Sequence, residues 1–587
     1  MNYLLERTFE NRGYSKDFFA QINQKKHGVP KDTEKLCAIL KYYYDTKGLI
    51  VLLTDFDTDG ICCGIEGFAG LAELGFNVAL FIPDTSDGYG FHPDTIDKLR
   101  QQYPAVKAIL TADVGATCFA GVNYARSLGI DMLVTDHHVP KGVLHANVFV
   151  DPSREDDNSG YSGICGASVL YQVLLYYAEH YANAYLVSQI KRLSVFAGCG
   201  TISDSMPLYY ENRGLVQDTL NIFKFVYSDG TQTLVNHIQG CPIYRRAFLG
   251  LFTLLNTFKD NGNAVLNASP LEIHEDFIGF YMAPALNSIK RMGADMHLVY
   301  GVFFGPNPAA DMQRILDLNE ERKLLVEEKF ADMIDGKFVQ PWAPYIFVTD
   351  ADAGIRGLLA QRMLEVTGEP VMVVGSNPDG TYNGSGRCPV WYPFLDVAGG
   401  SQYWCAAGHN PAFGIGFDDE LGGDKLFAYL QKTVRELKPS AEELVFKPDF
   451  VISMFNDGDA GFDLQLLTEY LAELEYCRPF GEGFPEPQCL LRINSSLVEY
   501  SVMGKEKNHL KIHLPMGMQA VCFHQAHLIQ EHGIEIKPDK DDEAHMYPYW
   551  MSTDLPDCLE LVGRFAYNNY NGVQTIQFMG DIVTEID

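Results

Sequence analysis

The 587-residue chain has no CxxC pair, and that removes the commonest zinc-ribbon and thiol-redox frameworks. Of its 13 cysteines, Cys62 and Cys63 are adjacent and the rest are dispersed, mostly among apolar neighbours, as reduced core thiols would be. Positive charge is scarce: 45 Lys and Arg stand against 76 Asp and Glu, a formal net charge of -31. Long-range repulsion then opposes indiscriminate binding to nucleic acid or anionic membranes, while leaving room for a local basic channel. The small basic groups at Lys25 and Lys26, Arg245 and Arg246, Lys290 and Arg291, and Lys505, Lys507 and Lys511 each read, alone, as solvated surface. Long apolar runs are also missing. GLIVLL is far too short to span a bilayer, and MNYLLERTFENRG lacks the basic-then-apolar layout of a secretory signal, so a soluble, cytoplasmic chain without membrane partners is expected. Neither GxxxxGK[ST] nor GxGxxG occurs, which leaves motor and dinucleotide chemistry without support.

What is present begins with a recurring pattern. Between residues 47 and 155 apolar, β-branched runs end in aspartate and are followed by a turn and a helical stretch: GLIVLLTDFD, VKAILTADVG, DMLVTDHHVP and NVFVDPSR, with FNVALFIPD a further strand. Unbroken apolar strands alternating with amphipathic helices predict a parallel α/β sheet covered on both faces, whose ligands bind at the carboxyl ends of the strands. After residue 160 the pattern is helical, and residues 310–335 read as one long connecting helix. A second α/β unit follows over about 341–440, with glycine-rich GSGRCPVWYP and AAGHNPAFGIGF. Beyond 450, five or so short strands with polar turns suggest a small antiparallel barrel of OB type.

The first aspartate cluster, TDFDTDGICCGIE, satisfies the EF-hand spelling D-x-D-x-D-G-x5-E from Asp55 to Glu66. A strand enters it, however, where an EF-hand requires a helix, so the calcium reading lacks its structural context. Asp113, the triplet Asp136, His137, His138, and Asp151 close other strands, and Asp204 lies in GTISDSMP. Carboxylates and imidazoles from separate strand ends suit two divalent ions sharing a bridging carboxylate, with Mn2+ or Mg2+ favoured over thiolate-preferring metals. Such a pair serves phosphoester hydrolysis.

In order, DFDTDG, ADVG, TDHH and the aspartate of GTISDSMPL resemble the motifs of the DHH phosphoesterase superfamily, and within it those of the RecJ-like single-strand DNA exonucleases. The resemblance continues through GYSGICGASV, ENRGLV, FYMAPALNSIKRMG, LDLNEERK, GSGRCP, AAGHNPAFGIGF and PFGEGFPEP. It implies an N-terminal helical extension over 1–45, a DHH domain over 46–309, a connecting helix over 310–336, a DHHA1 domain over 337–445 and an OB-fold over 446–587. It also implies cleavage of single-stranded DNA from its 5′ end with two Mn2+ or Mg2+ ions, by a monomer working with a single-strand binding protein or a helicase. Carried onto this chain, Asp57, Asp59, Asp113, His137 and Asp204 become metal ligands, with Asp113 the bridge and Asp55 contributing at the first ion. Asp136 supports the histidines, and His138 sits near the scissile phosphate as stabiliser or proton donor. Asn287, Arg291, Ser385, Arg387, Gly408 and His409 match substrate-gripping segments. Without the resemblance, Arg387 would be an ordinary turn arginine and His409 a packed histidine.

Three departures stand out. Leu53 replaces a frequent histidine, the PDTSDGYG loop around Thr85 lacks a usual arginine, and Asp352 replaces a histidine. They bear on 5′-end recognition more than on hydrolysis. Two other functions compete: a phosphodiesterase for short oligonucleotides or cyclic dinucleotides, which would not need a large C-terminal barrel, and a non-catalytic replication scaffold, which would be free to lose its ligands.

Overall fold

A computed structural model describes residues 2–84, 88, 90–228, 238–263, 265–266, 273–337, 339–440, 447–454, 464–495, 498–503, 508–530, 535–538, 548–551, 557–570 and 573–583. The first sheet is made of β1 (Leu49–Thr54), β2 (Val78–Phe81), β3 (Val106–Ala112), β4 (Asp131–Thr135) and β5 (Val148–Val150), all parallel, in the order β2-β1-β3-β4-β5. Successive residues of a strand point to opposite faces, and both faces here are buried. Ile50 and Leu52 join the core under helices Thr58–Glu73 and Gly166–Tyr181, whereas Val51 and Leu53 join a second core under Pro93–Gln102 and Phe119–Ser127. That two-sided burial explains why these runs are unbroken rather than alternating.

Helix Pro308–Ile334 leads to the second sheet. Its proline sits in the first turn, where no hydrogen bond is lost, and no glycine or proline interrupts its 27 residues, which span about 40 Å. The second sheet contains β6 (Ile346–Val348), β7 (Val371–Ser376), β8 (Tyr382–Arg387), β9 (Cys405–His409) and β10 (Ala412–Phe417), in the order β6-β7-β8-β10-β9. Only its β6–β7 pair is parallel. Helix Ala353–Thr367 covers one face and docks on the first unit. A Cβ at Gly354 would lie 2.3 Å from the Arg291 carbonyl oxygen, so glycine is required for that approach.

The third sheet differs from expectation in size. Nine described strands lie between Phe450 and Ile582, not five, and two of them, Cys558–Tyr570 and Val573–Ile582, form one long antiparallel ribbon. The amino-terminal segment is also not a separate extension. Helix Tyr3–Asn11 inserts Leu4, Leu5 and Phe9 into the third sheet's core, and the Arg12 fork clasps Asp449 through two 2.7 Å bonds. Arg213, fully buried, donates to the backbone carbonyls of Cys477, Arg478 and Pro479 and packs over Phe19 and Phe484. The helical part of the first unit is thereby tied to both ends of the chain. Among the described residues, no helix is long and apolar enough to cross a membrane.

Candidate active site

Because the first sheet is parallel, the carboxyl ends of its strands share one edge, and Asp55, Asp113, Asp136 and Asp151 are the residues that immediately follow β1, β3, β4 and β5. After Asp55 the chain turns straight into helix Thr58–Glu73, where Asp57 is the N-cap and accepts from the Gly60 N–H at 3.1 Å. A strand, not a helix, enters the loop, and Glu66 is buried on the helix it belongs to.

The acids form two joined groups. Ligand atoms of Asp55, Asp57 and Asp113 lie within 4.8 Å of one another, as do those of Asp59, His137 and Asp204, and those of Asp113, His137 and His138. His137 Nε2 is 3.2 Å from Asp113 Oδ1 and 3.6 Å from Asp204 Oδ2. Asp113 therefore belongs to both sides, the position a bridging ligand needs. Its backbone is left-handed, with φ 61°, an uncommon conformation for a residue with a Cβ and one that concentrates at functional sites. Gly166 makes room for it: a Cβ there would lie 2.4 Å from the Asp113 Cβ. Asp59 is fixed by the N–H groups of Gly166 and Ala167, at 2.6 and 3.1 Å, where helix Gly166–Tyr181 begins. The Ile164 backbone lies near the His137 ring.

Crowding sets the protonation of these groups. Burial first, then the charge of Asp57, raises Asp55 to about 6 and Asp59 to about 7. Burial with Asp59 and Asp57 raises Asp204 to about 8, and burial with Asp59, Asp57, Asp55 and Asp136 raises Asp113 well above the carboxylate range. Burial with Asp136 raises Asp151 to about 8. Asp136 is the exception. Despite burial it is lowered by its hydrogen bond to His138, and its oxygens accept from the N–H groups of Ala116, His137 and His138 and from His138 Nδ1 at 2.8 Å. It is thus an anchor rather than a ligand. Burial would depress His138, but that bond and the charge of Asp136 outweigh it and raise the imidazole to about 9, whereas burial and the His138 charge lower His137 to about 4. A neutral imidazole among carboxylates that resist ionisation, with Asp55 Oδ1 lacking a hydrogen-bond partner among the described residues, fits a donor set for divalent cations, which would favour the ionised acids.

Arginines stand near the acids. Burial first, then the charges of Arg322 and Arg387, lowers Arg291 to about 10, while Asp57 acts on it in the other sense, so Arg291 is close enough to Asp57 and to both other guanidiniums to feel their charges. Among the described residues no salt bridge holds Arg291, Arg322 or Arg387. Arg387 donates to its neighbour's carbonyl, at Gly386, and Arg322 to Asn319 Oδ1. Gly357 of helix Ala353–Thr367 leaves space for Arg387 and Ser385, since a Cβ there would be 3.0 Å from Arg387 Nη2 and 3.5 Å from Ser385 Oγ. Lys290 lies over the Phe56 ring at 4.8 Å and tempers the Asp55 carboxyl.

The sequence reading singled out every acid and histidine of this centre, and the structure brings them together. Asn287 is bonded within the chain. Its Oδ1 accepts from the Thr58 N–H at 2.8 Å and hydroxyl at 3.0 Å, and so positions the Asp57–Asp59 turn. Leu53 is packed in the core, and Asp352 is the N-cap residue of helix Ala353–Thr367. Gly408, with φ 138°, and His409 lie on β9, but the His409 side chain and the loop at Thr85 are outside the described residues. Arg322 was missed. Its only sequence signal was the LDLNEERK segment on the long helix, where an arginine beside two glutamates reads as an exposed ion pair.

Residues 49–197 match the DHH family, N-terminal domain, and residues 459–581 match the RecJ OB domain. The chain is 24% identical to the single-stranded-DNA-specific exonuclease RecJ of Escherichia coli, over 82% of this chain and 80% of that one. It is 25% identical to the enzyme of the same name from Thermus thermophilus, over 87% and 70%. It is 24% identical to that of Bacillus subtilis, over 79% of this chain but only 54% of that longer protein. The structure of Thermus thermophilus RecJ in complex with Mn2+ superposes with a TM-score of 0.70 at 20% identity, covering 100% of this chain and 76% of that one.

Proposed function

From a RecJ-like chain that carries a DHH-family domain and a RecJ OB domain, we propose a metal-dependent exonuclease that hydrolyses phosphodiester bonds of single-stranded DNA, working from the 5′ end and releasing mononucleotides. One observation carries the reading: two groups of ligand atoms are joined through Asp113, and near them is Arg291, which feels the charges of Asp57, Arg322 and Arg387, with no described carboxylate paired to any of the three arginines. The residues suit Mn2+ or Mg2+, with Asp55, Asp57 and Asp113 on one side and Asp59, His137 and Asp204 on the other.

Bound at these residues, two such cations would supply charge neutralisation at the phosphoryl oxygens and a more acidic water. The chain's own groups do the rest. Arg291, Arg322 and Arg387 hold the strand's phosphates, since guanidinium grips phosphate bidentately and needs no proton exchange. Asp136 fixes the Nδ1 of His138, so proton transfer falls to Nε2, and the raised affinity of that imidazole keeps it protonated and able to stabilise or protonate the leaving oxygen. The Asp113 backbone, the Gly166 contact and the Asn287 bonds keep the acids in place before substrate arrives. The finer picture is a monomer supplied with strands by a helicase or a single-strand binding protein.

The test uses 5′-labelled and 3′-labelled single strands, duplex DNA and a dinucleotide, with Mn2+ or EDTA. Release of the 5′ label from single strands, dependent on metal and abolished by Asp113→Ala, is expected. Cleavage of the dinucleotide alone would move the assignment to small substrates, and tight strand binding with no cleavage would make the chain a scaffold.

A further inference from the structure

β4 and β5 stop pairing at Thr135 and Val150, yet the two segments stay joined beyond the sheet edge. The Asp136 N–H donates to the Val150 carbonyl at 3.1 Å, and further on the Ser153 hydroxyl donates to the His137 carbonyl at 2.6 Å. Ser153 is itself held. Its N–H donates to Asp151 Oδ1 at 2.7 Å, an Asx turn closed over Pro152 whose acid is fully buried. Arg154 braces the same turn, donating to the Phe149 carbonyl and to Asp32 Oδ2.

The bond to His137 matters because of the peptide it reaches. The His137 carbonyl and the His138 N–H belong to one planar unit. Asp136 Oδ1 accepts that N–H at 3.2 Å, the longest of the bonds Asp136 receives, whereas Ser153 grips the opposite edge of the plane at 2.6 Å. This unit joins two imidazoles with different tasks. His137 presents Nε2 to Asp113 at 3.2 Å and to Asp204 at 3.6 Å, while His138 is bonded through Nδ1 to Asp136, and the two rings lie 4.4 Å apart. Rotation about either bond flanking the plane moves one imidazole relative to the other, so a grip on both edges sets their relative placement.

We infer that Ser153 is a positioning residue for the acidic centre: its hydroxyl, aimed by Asp151, fixes the peptide between His137 and His138 and so keeps one imidazole among the ion-binding acids and the other at the leaving oxygen. It acts through the histidines rather than on the substrate. The inference rests on the metal-dependent exonuclease reading above.

Ser153→Ala and Ser153→Thr in the full chain test it. Ser153→Ala removes the hydroxyl of a half-buried side chain and should melt near the wild-type temperature in EDTA. Calorimetry without DNA should show Mn2+ bound about 10-fold to 100-fold more weakly, the usual range for loss of a group that orients a metal ligand. At saturating Mn2+, kcat on 5′-labelled single strands should fall by a similar factor while KM changes by less than about twofold, because the arginines that hold phosphate are untouched. Ser153→Thr, which keeps the hydroxyl, should recover most of both losses. Wild-type Mn2+ affinity and kcat in Ser153→Ala would overturn the inference. So would a raised KM at unchanged kcat, which would make Ser153 a strand contact, or losses that track a lowered melting temperature in both variants, which would make it a packing residue. Calorimetry needs no substrate, so the two readings fail separately. Weaker Mn2+ binding by Ser153→Ala, with no strand cleaved by wild type, sinks the exonuclease alone; cleavage by wild type with an unchanged variant sinks the positioning role alone.

Discussion

Asp113→Asn should stabilise the metal-free protein while destroying its activity, and the gain should depend on pH. Asp113 is buried at 2% exposure, and its carboxyl faces Asp59, Asp57, Asp55 and Asp136, so its folded pKa lies well above the ordinary 3.8. In the unfolded chain it ionises near that ordinary value. Between about pH 4 and the raised folded value the native state therefore binds more protons than the unfolded one, and stability falls as pH rises. Asp55, raised from 3.8 to about 6 in the same cluster, gives the scale: a two-unit shift is worth about 3 kcal/mol. Asparagine keeps the shape and tolerates the left-handed backbone at φ 61°. The expected gain in EDTA is about 1–3 kcal/mol at pH 8, vanishing by pH 4. Urea denaturation monitored at both pH values measures it. Mn2+ at a hundred times its Kd should stabilise wild type by about 2.7 kcal/mol and the variant far less. A variant no more stable than wild type at pH 8, or equally stabilised at pH 4, would refute the argument that the acids are held together against their own repulsion.

Glu66, fully buried with both carboxyl oxygens unpartnered and its pKa raised first by burial and then by Asp59, should be replaceable by methionine with a gain of about 1–2 kcal/mol at neutral pH in a thermal melt. Gly166→Ala should do the reverse. Its Cβ would meet Asp113 at 2.4 Å, and we expect a loss of about 2–4 kcal/mol in denaturation together with loss of Mn2+ affinity by calorimetry. Arg322→Ala should leave the melting temperature within a few degrees of wild type but weaken single-strand binding at least about tenfold and reduce the slope of log affinity against log salt by about 0.7, with Arg322→Lys restoring the slope better than the affinity.

How much of this was legible depended on whether the signal was local. Strand followed by aspartate is a local pattern, and because parallel strands end on one edge, reading four such ends was enough to assemble Asp55, Asp113, Asp136 and Asp151 without knowing the strand order. The same logic rejected the EF-hand spelling, since GLIVLL cannot be the entering helix. The Asn287 bond to Thr58, across 229 residues, left no local trace in the sequence. Arg322 failed for a related reason. Periodicity places it on the helix Pro308–Ile334 but says nothing of what that helix faces, and the face is decided by helix Ala353–Thr367 docking against Arg291 through Gly354.

The amino terminus shows the same limit most clearly, and shows why it matters for the cleft. Leu4, Leu5 and Phe9 have the spacing of any amphipathic helix, which specifies an apolar partner and not which one. The partner is the third sheet's core, more than four hundred residues away, and Arg12 with Asp449 and Arg213 with the 477–479 carbonyls fix the docking. Among the described residues, Arg213 has no carboxylate salt bridge. Its charge is spread over backbone oxygens and two aromatic faces, an arrangement costly to rebuild if the units separate. The same segment then supplies Lys26 and His27 beside Tyr161 and Tyr210, and Tyr161 belongs to the loop whose Ile164 backbone lies near His137. The helical segment at the start of the chain therefore bridges the OB-type sheet and the acidic centre, so a strand leaving one would find the other held at a fixed distance.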